Sequence, residues 1–259
     1  FGFDLAALGV SPEPIGGSFA LDASASAAGK GAYAARIALD SIEIRNKHRT
    51  DRIRPTSVSL HTDSAATRAE AASGDLSLTF STPQSADSLI AALTRSARAL
   101  AGQIDAQSID MEQLKPALPD FALRVSAGPD NILNSLLKSR KIAFDALNAE
   151  GANCDSLPVS IRLRTEGLAY GNVVLDTVTA DIRQNGKRLE YALGLANAPG
   201  NLDNIARAGL YGHLVRNTGQ ANLYQRNRAG REGFRFGLDV TWTDSLVRAS
   251  VTPPDPLFG

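Results

Sequence analysis

The sequence predicts a mainly β protein, and three observations carry that expectation. Apolar and polar residues alternate along run after run, most clearly in Phe234-Arg235-Phe236-Gly237-Leu238-Asp239-Val240-Thr241-Trp242, but also from Leu189 to Leu195 and from Pro158 to Arg164. A period of two places every second side chain on one face of a pleated strand. Turn residues separate the runs, with Asn185-Gly186 the strongest hairpin signal. Helical spacing appears only in mid-chain, so the helices read as an insertion into a β chain.

Residues 15 to 82 read as β. Phe19, Leu21 and Ala23 alternate, as do Tyr33, Ala35, Ile37 and Leu39, then Ile42 and Ile44. Gly29-Lys30-Gly31 forms the first turn, because glycine adopts positive φ without a steric penalty. Val58 and Leu60, then Leu76, Leu78 and Phe80, complete the set, and the charged stretch from His48 to Arg54 is expected to be a solvated loop or hairpin tip.

After Ser85, a favourable N-cap, the residues Leu89, Leu93, Ala97, Leu100 and Ile104 recur at helical spacing. This amphipathic helix is expected to pack its apolar stripe on a sheet. A membrane-surface helix is the alternative, weakened because Arg95 and Arg98 are the only basic residues on its polar face. Asp110, with Gln113, starts a second helix that Pro116 and Pro119 keep short, and Asp130 is placed to cap a third carrying Ile132, Leu133, Leu136 and Leu137.

From Ile142 and Phe144 onward β returns. Val159 to Leu163, Val178 to Ile182, Leu189 to Leu195, Leu210 to Leu214, Ala221 to Leu223, Phe234 to Trp242 and Val247 to Val251 read as strands. Gly230 and Asp244-Ser245 mark turns of an antiparallel meander. The chain therefore divides into an N-terminal β segment over 1–83, a helical insertion with one strand over 84–140, and a C-terminal β segment of the same sheet over 141–259.

Composition narrows the function. Apolar residues make up 43% of the 259, but aromatics only 6%, which implies a thin core. Lys plus Arg and Asp plus Glu are both 27, and a balanced charge argues against a nucleic-acid surface. Cys154 is the single cysteine, has no histidine near it in sequence and is not expected to be a nucleophile. His48, His61 and His213 lie in different segments without metal-ligand spacing, and Asp176, Asp181 and Asp239 occupy polar positions of alternating strands. No nucleophile elbow, phosphate loop or complete dinucleotide fingerprint is present, so the expectation is a non-enzyme with no metal and no cofactor. Neither end looks native: there is no start methionine, and the chain stops just after Pro253-Pro254-Asp255-Pro256, so it reads as a piece of something longer.

Several stretches between Ser73 and Phe258 resemble the TamB family, the inner-membrane-anchored component of the translocation and assembly module. They are Gly74-Asp75-Leu76-Ser77-Leu78-Thr79-Phe80, a helix with Asp87-Ser88-Leu89, Leu114-Lys115-Pro116-Ala117-Leu118-Pro119, and Leu123 to Asn131. Gly167-Leu168, Leu175-Asp176-Thr177-Val178, Asp181-Ile182-Arg183-Gln184 and Thr252-Pro253-Pro254-Asp255-Pro256 complete the resemblance, which covers about two-thirds of the chain. It implies an elongated, curled, taco-like trough of antiparallel or mixed sheet related to AsmA-like lipid-transfer bridges. It also implies a periplasmic location in an inner-membrane-anchored parent, phospholipid acyl chains as ligand, and a role in outer-membrane biogenesis. A barrel partner of the TamA or BamA type would be met through the parent protein.

The residues with the largest apolar area per strand are the candidate lipid groove: Tyr191, Leu193, Phe234, Phe236, Leu238, Val240 and Trp242. The same alternation would also build a closed β-sandwich. An adhesin-like interaction or glycan-binding module is therefore the alternative function.

Overall fold

The computed structural model describes residues 2–4, 7, 16–29, 31–45, 50–138, 140–198, 206–243 and 246–253. The first half contributes strands β1 (Gly2–Asp4), β2 (Gly16–Gly29), β3 (Ala32–Arg45), β4 (Thr50–Ile53), β5 (Thr56–Thr62), β6 (Thr67–Ser73) and β7 (Leu76–Thr82). Helix α1 (Ala86–Asp105), the single-turn helix α2 (Met111–Leu114) and a 3-10 turn (Lys115–Ala117) follow. Then come β8 (Phe121–Ala127) and helix α3 (Ile132–Lys138). The rest is β9 (Ile142–Ala143), β10 (Ala146–Cys154), β11 (Leu157–Tyr170), β12 (Val173–Asn185), β13 (Arg188–Asn197), β14 (Arg207–Val215), β15 (Thr218–Arg226), β16 (Glu232–Thr243) and β17 (Leu246–Thr252).

All strands join one open antiparallel sheet, curled but not closed into a barrel. Chain neighbours pair almost throughout, from β1 with β2 to β16 with β17. Two pairs of segments share a place: β4 and β5 both pair with β3, and β9 and β10 both pair with β11. The insertion does not break the sheet, because β8 pairs with β7 on one side and β10 on the other. Several hairpins turn at glycines in the left-handed region; Gly186, with φ 58°, sits between the paired Asn185 and Arg188. Of the other turns expected from sequence, Lys30, residues 46–49 and Asp244-Ser245 lie outside the described residues.

The stretch read as a charged loop is in part a strand. Thr50–Ile53 pairs with the end of β3, and Ile53 lies opposite Ile42, both buried. Its charges hid the one apolar side chain that fixes it. The third helix is capped by Asn131, whose Oδ1 accepts from the Asn134 backbone N–H at 2.9 Å. Asp130 instead accepts from Arg54 Nη2 at 2.6 Å and Nε at 2.7 Å.

The largest correction concerns α1. Ser85 caps it as expected, accepting from the Ser88 N–H. Its leucine and isoleucine stripe does not pack on the sheet: Leu93, Leu100 and Ile104 are exposed, as is Ile90. The side turned inward carries Ala92, Ser96, Ala99 and Gln103. Ser96 Oγ donates to the Ala117 carbonyl, and the Gln103 amide forms two hydrogen bonds with the Asp110 backbone, both 3.0 Å. Small side chains let α1 and the returning segment approach closely, and polar contacts, rather than the stripe, set the orientation of the helix.

Asn134 holds α3 to the sheet. It is 0% exposed, its Nδ2 donates to the carbonyls of Phe144 (2.8 Å) and Pro129 (3.1 Å), and its Oδ1 accepts from the Phe144 N–H. Replacing it strands the buried carbonyl and N–H of Phe144, each costly without a partner, and removes the donor to Pro129. Asn134→Leu is expected to destabilise the protein by about 2–4 kcal/mol, measured as a lower urea midpoint.

Candidate apolar binding groove

Residues directly opposite each other in antiparallel strands share a face, so the registers can be followed from one edge of the sheet to the other. One row starts at Ala23 and passes through Ile37, Val58, Ala71, Leu78, Val125 and Ala149. It continues through Leu163, Ala180, Leu193, Leu210 and Leu223 to Phe236. Every member is apolar. The neighbouring row includes Leu60, Phe80, Leu123, Ile161, Ile182, Tyr191, Leu238 and Val251, with only Ala and Gly at its other positions.

Much of this face is open to solvent. Ile37 and Val58 are each 44% exposed, Leu193 43% and Phe236 39%. The opposite face carries the charges. Arg36, Ser59, Glu70, Thr79, Arg124, Glu150, Arg162 and Asp181 form one row there, with Arg124 pairing Glu150 at 3.2 Å and Arg162 pairing Asp181 at 3.1 Å. These pairs are exposed and contribute little energy. Farther along, the same row passes through Ala192 to Tyr211 and Asn222, the last two buried at 5% and 1% exposed.

The structure brings all seven sequence candidates to the apolar face. Leu193 and Phe236 lie in the first row, Tyr191 and Leu238 in the second. Val240 and Trp242 continue along β16 toward its end, and Phe234 stands at its start, its ring 5.9 Å from that of Phe236. Two of the seven are committed to structure as well. Tyr191 Oη donates to the Gln220 carbonyl at 3.0 Å, and burial pushes its phenol pKa up. It lies over Gly212, where a Cβ would collide with the Gln220 carbonyl. Trp242 Nε1 donates to the Gln107 carbonyl just beyond α1.

The insertion borders this face along one set of strand ends. At its start, Ala86 N donates to Thr62 Oγ1, and Thr67 Oγ1 donates to the Gln84 carbonyl; both threonines stand at strand ends on the apolar face. At its far end stands Trp242. The chain then returns past successive hairpins, with Ile109 bridging Arg216, Met111 N donating to the Lys187 carbonyl and Lys115 Nζ donating to that of Leu157. Met111, Leu114 and Val159 form a small core there, joined by Ala99, Ile109, Leu118 and Leu189. At the other strand ends Thr56 donates to Ser73, and Ser73 Oγ accepts from the first N–H of α3.

Between these borders lies an open apolar strip. Thr56 and Thr62 are six residues apart on β5, so the strip is about 20 Å wide there. Selection by the largest apolar area per strand missed its first half, Ile37, Val58, Leu60 and Leu78, and its middle, Val125 and Leu163. The same alternation that revealed the strands marked them. The bordering role of the insertion left no such signal, since it rests on contacts between residues far apart in sequence. Among the described residues no His, Cys, Asp and Glu cluster could hold a metal, and no helix is long and apolar enough to cross a membrane.

Asp110 ties the insertion to the β14–β15 turn. Burial alone would raise its pKa, but the Arg216 guanidinium at 3.2 Å and the N–H groups of Glu112 and Gln113 outweigh that and hold the carboxyl below its usual range. A depressed folded pKa stabilises the fold above the unfolded value, and that contribution is lost as pH falls through the folded one. Acidification below the normal carboxylate range is expected to loosen the insertion and red-shift emission from Trp242, the sole tryptophan, before the sheet unfolds by circular dichroism. Asp110→Asn is expected to show the red shift already at neutral pH.

No protein-family model, curated protein or solved structure matches this chain, and the geometry of the sheet carries the functional reading.

Proposed function

We propose that this chain is a non-catalytic, lipid-handling segment of a TamB-like envelope protein, with the apolar sheet face receiving phospholipid acyl chains. The observation that carries the reading is the row from Ala23 to Phe236, thirteen strands wide without a polar interruption, on a sheet face much of which is open to solvent. Exposed apolar surface of that extent marks a binding surface. At about 4.8 Å per strand the row runs roughly 58 Å, whereas both leaflets of a bilayer core together span about 30 Å. One acyl tail covers only a fraction of it, so the face suits a path for tails better than a pocket for one molecule.

Hydrocarbon asks for area rather than for placed polar groups. Each methylene removed from water contributes about 0.8 kcal/mol, and aliphatic side chains in register supply that area continuously. On this reading the segment lies in the periplasm, takes part in moving lipid between the inner and outer membranes, and supports outer-membrane assembly together with a barrel partner of its parent protein.

Leu193→Asp and Phe236→Asp place charge in the first row at exposed positions, so folding is expected to persist. Photo-crosslinking to phospholipid in cells is expected to fall about tenfold, the equivalent of burying roughly two methylenes fewer. Ser126→Asp on the opposite face is the control. Unchanged crosslinking in both row variants, with native circular dichroism, defeats the reading.

A further inference from the structure

Where α1 ends, a cavity of about 500 Å3 separates it from the β16–β17 hairpin. Ile104 and Ile109 line one side, Trp242, Leu246 and Val247 the other, and every described lining residue is uncharged. Its size lies within the range of about 300–1,000 Å3 typical of small-molecule sites. An amphipathic helix ordinarily buries its apolar stripe, whereas α1 is held with the stripe free: Ile104 is 58% exposed, and Val247 across the gap is 67% exposed.

The cavity is continuous with the apolar rows. Val247 stands opposite Trp242 and shares its face with Val251, the last member of the second row. Gln103, Gln107, Ser108 and Thr243 also line it, but the slot carries no charge and most of its wall is apolar, so it fits a hydrocarbon tail better than a charged phosphate headgroup. We propose that this cavity seats the end of a phospholipid acyl chain that lies on the sheet, with Ile104, the last residue of the α1 stripe, in the second wall. The inference rests on the lipid-handling reading above and adds a defined seat to it.

The test places p-benzoylphenylalanine at position 104, at position 193 on the row, or at position 126 on the charged face of the whole chain. Each is irradiated with vesicles of phosphatidylethanolamine and phosphatidylglycerol carrying a radiolabelled acyl chain. Label is expected at 104 and 193 and not at 126. Label at 193 without 104 overturns the seat and leaves the lipid-handling reading standing; label at neither overturns both. Label at 104 alone also overturns the proposal, because the tail then does not come from the sheet. Val247→Asp, exposed and on the opposite wall, is expected to cut labelling at 104 about fivefold with an unchanged thermal melt. Unchanged labelling in that variant overturns the seat.

Discussion

The constraint on which the rest depends is the register of the antiparallel pairs. Leu78 opposite Val125, Leu163 opposite Ala180 and Leu193 opposite Leu210 are individually weak contacts. Together they place one parity of every strand on one side. A slip of a single residue anywhere would deliver Arg124 or Arg162 into the apolar rows and their aliphatic neighbours into the charged ones. The exposed ion pairs of the charged ladder add little to the penalty for such a slip, so the aliphatic pairs carry most of the register.

A single curled sheet has no second layer to bury its apolar side, and this chain covers only the ends of its strands. The borders there are built from hydroxyls and amides. Thr62 and Thr67 end their strands at one border and bond the segment that leads into α1; at the other, Thr56 donates to Ser73, which accepts from the first N–H of α3. Asn131 and Asn134 complete the far border, where Asp75 accepts from Asn131 Nδ2 at 2.7 Å and from the Asp130 N–H at 2.9 Å. Burial tends to raise the Asp75 pKa, but these donors prevail and hold it below its usual range. Directional bonds at the edges and an uncovered middle leave the apolar strip exposed instead of building a core.

The fold was legible where the period was unbroken. β16 and β13 announce themselves by alternation, and the β12–β13 turn by Asn185-Gly186. Legibility failed where a local signal had two meanings. The stripe of α1 satisfies every rule for a helix that packs on a sheet, yet Gln103 and Ser96 hold the opposite side inward. Thr50–Ile53 looks like a solvated loop because one buried isoleucine is outnumbered by its polar neighbours. The seven groove candidates were found by size, while the small members of the rows, Ala71, Ala149 and Ala180, were invisible for the same reason.

The two anchor points of α1 have a consequence for the length of the molecule. Its twenty residues measure about 30 Å. The strands between Thr62 on β5 and Trp242 on β16 would occupy roughly 48 Å if laid flat. Curvature of the sheet and the reach of the indole make up the difference. Elsewhere a meander can gain or lose a hairpin without disturbing its neighbours. Within this interval it cannot, because a strut of fixed length gauges how many strands lie beneath it.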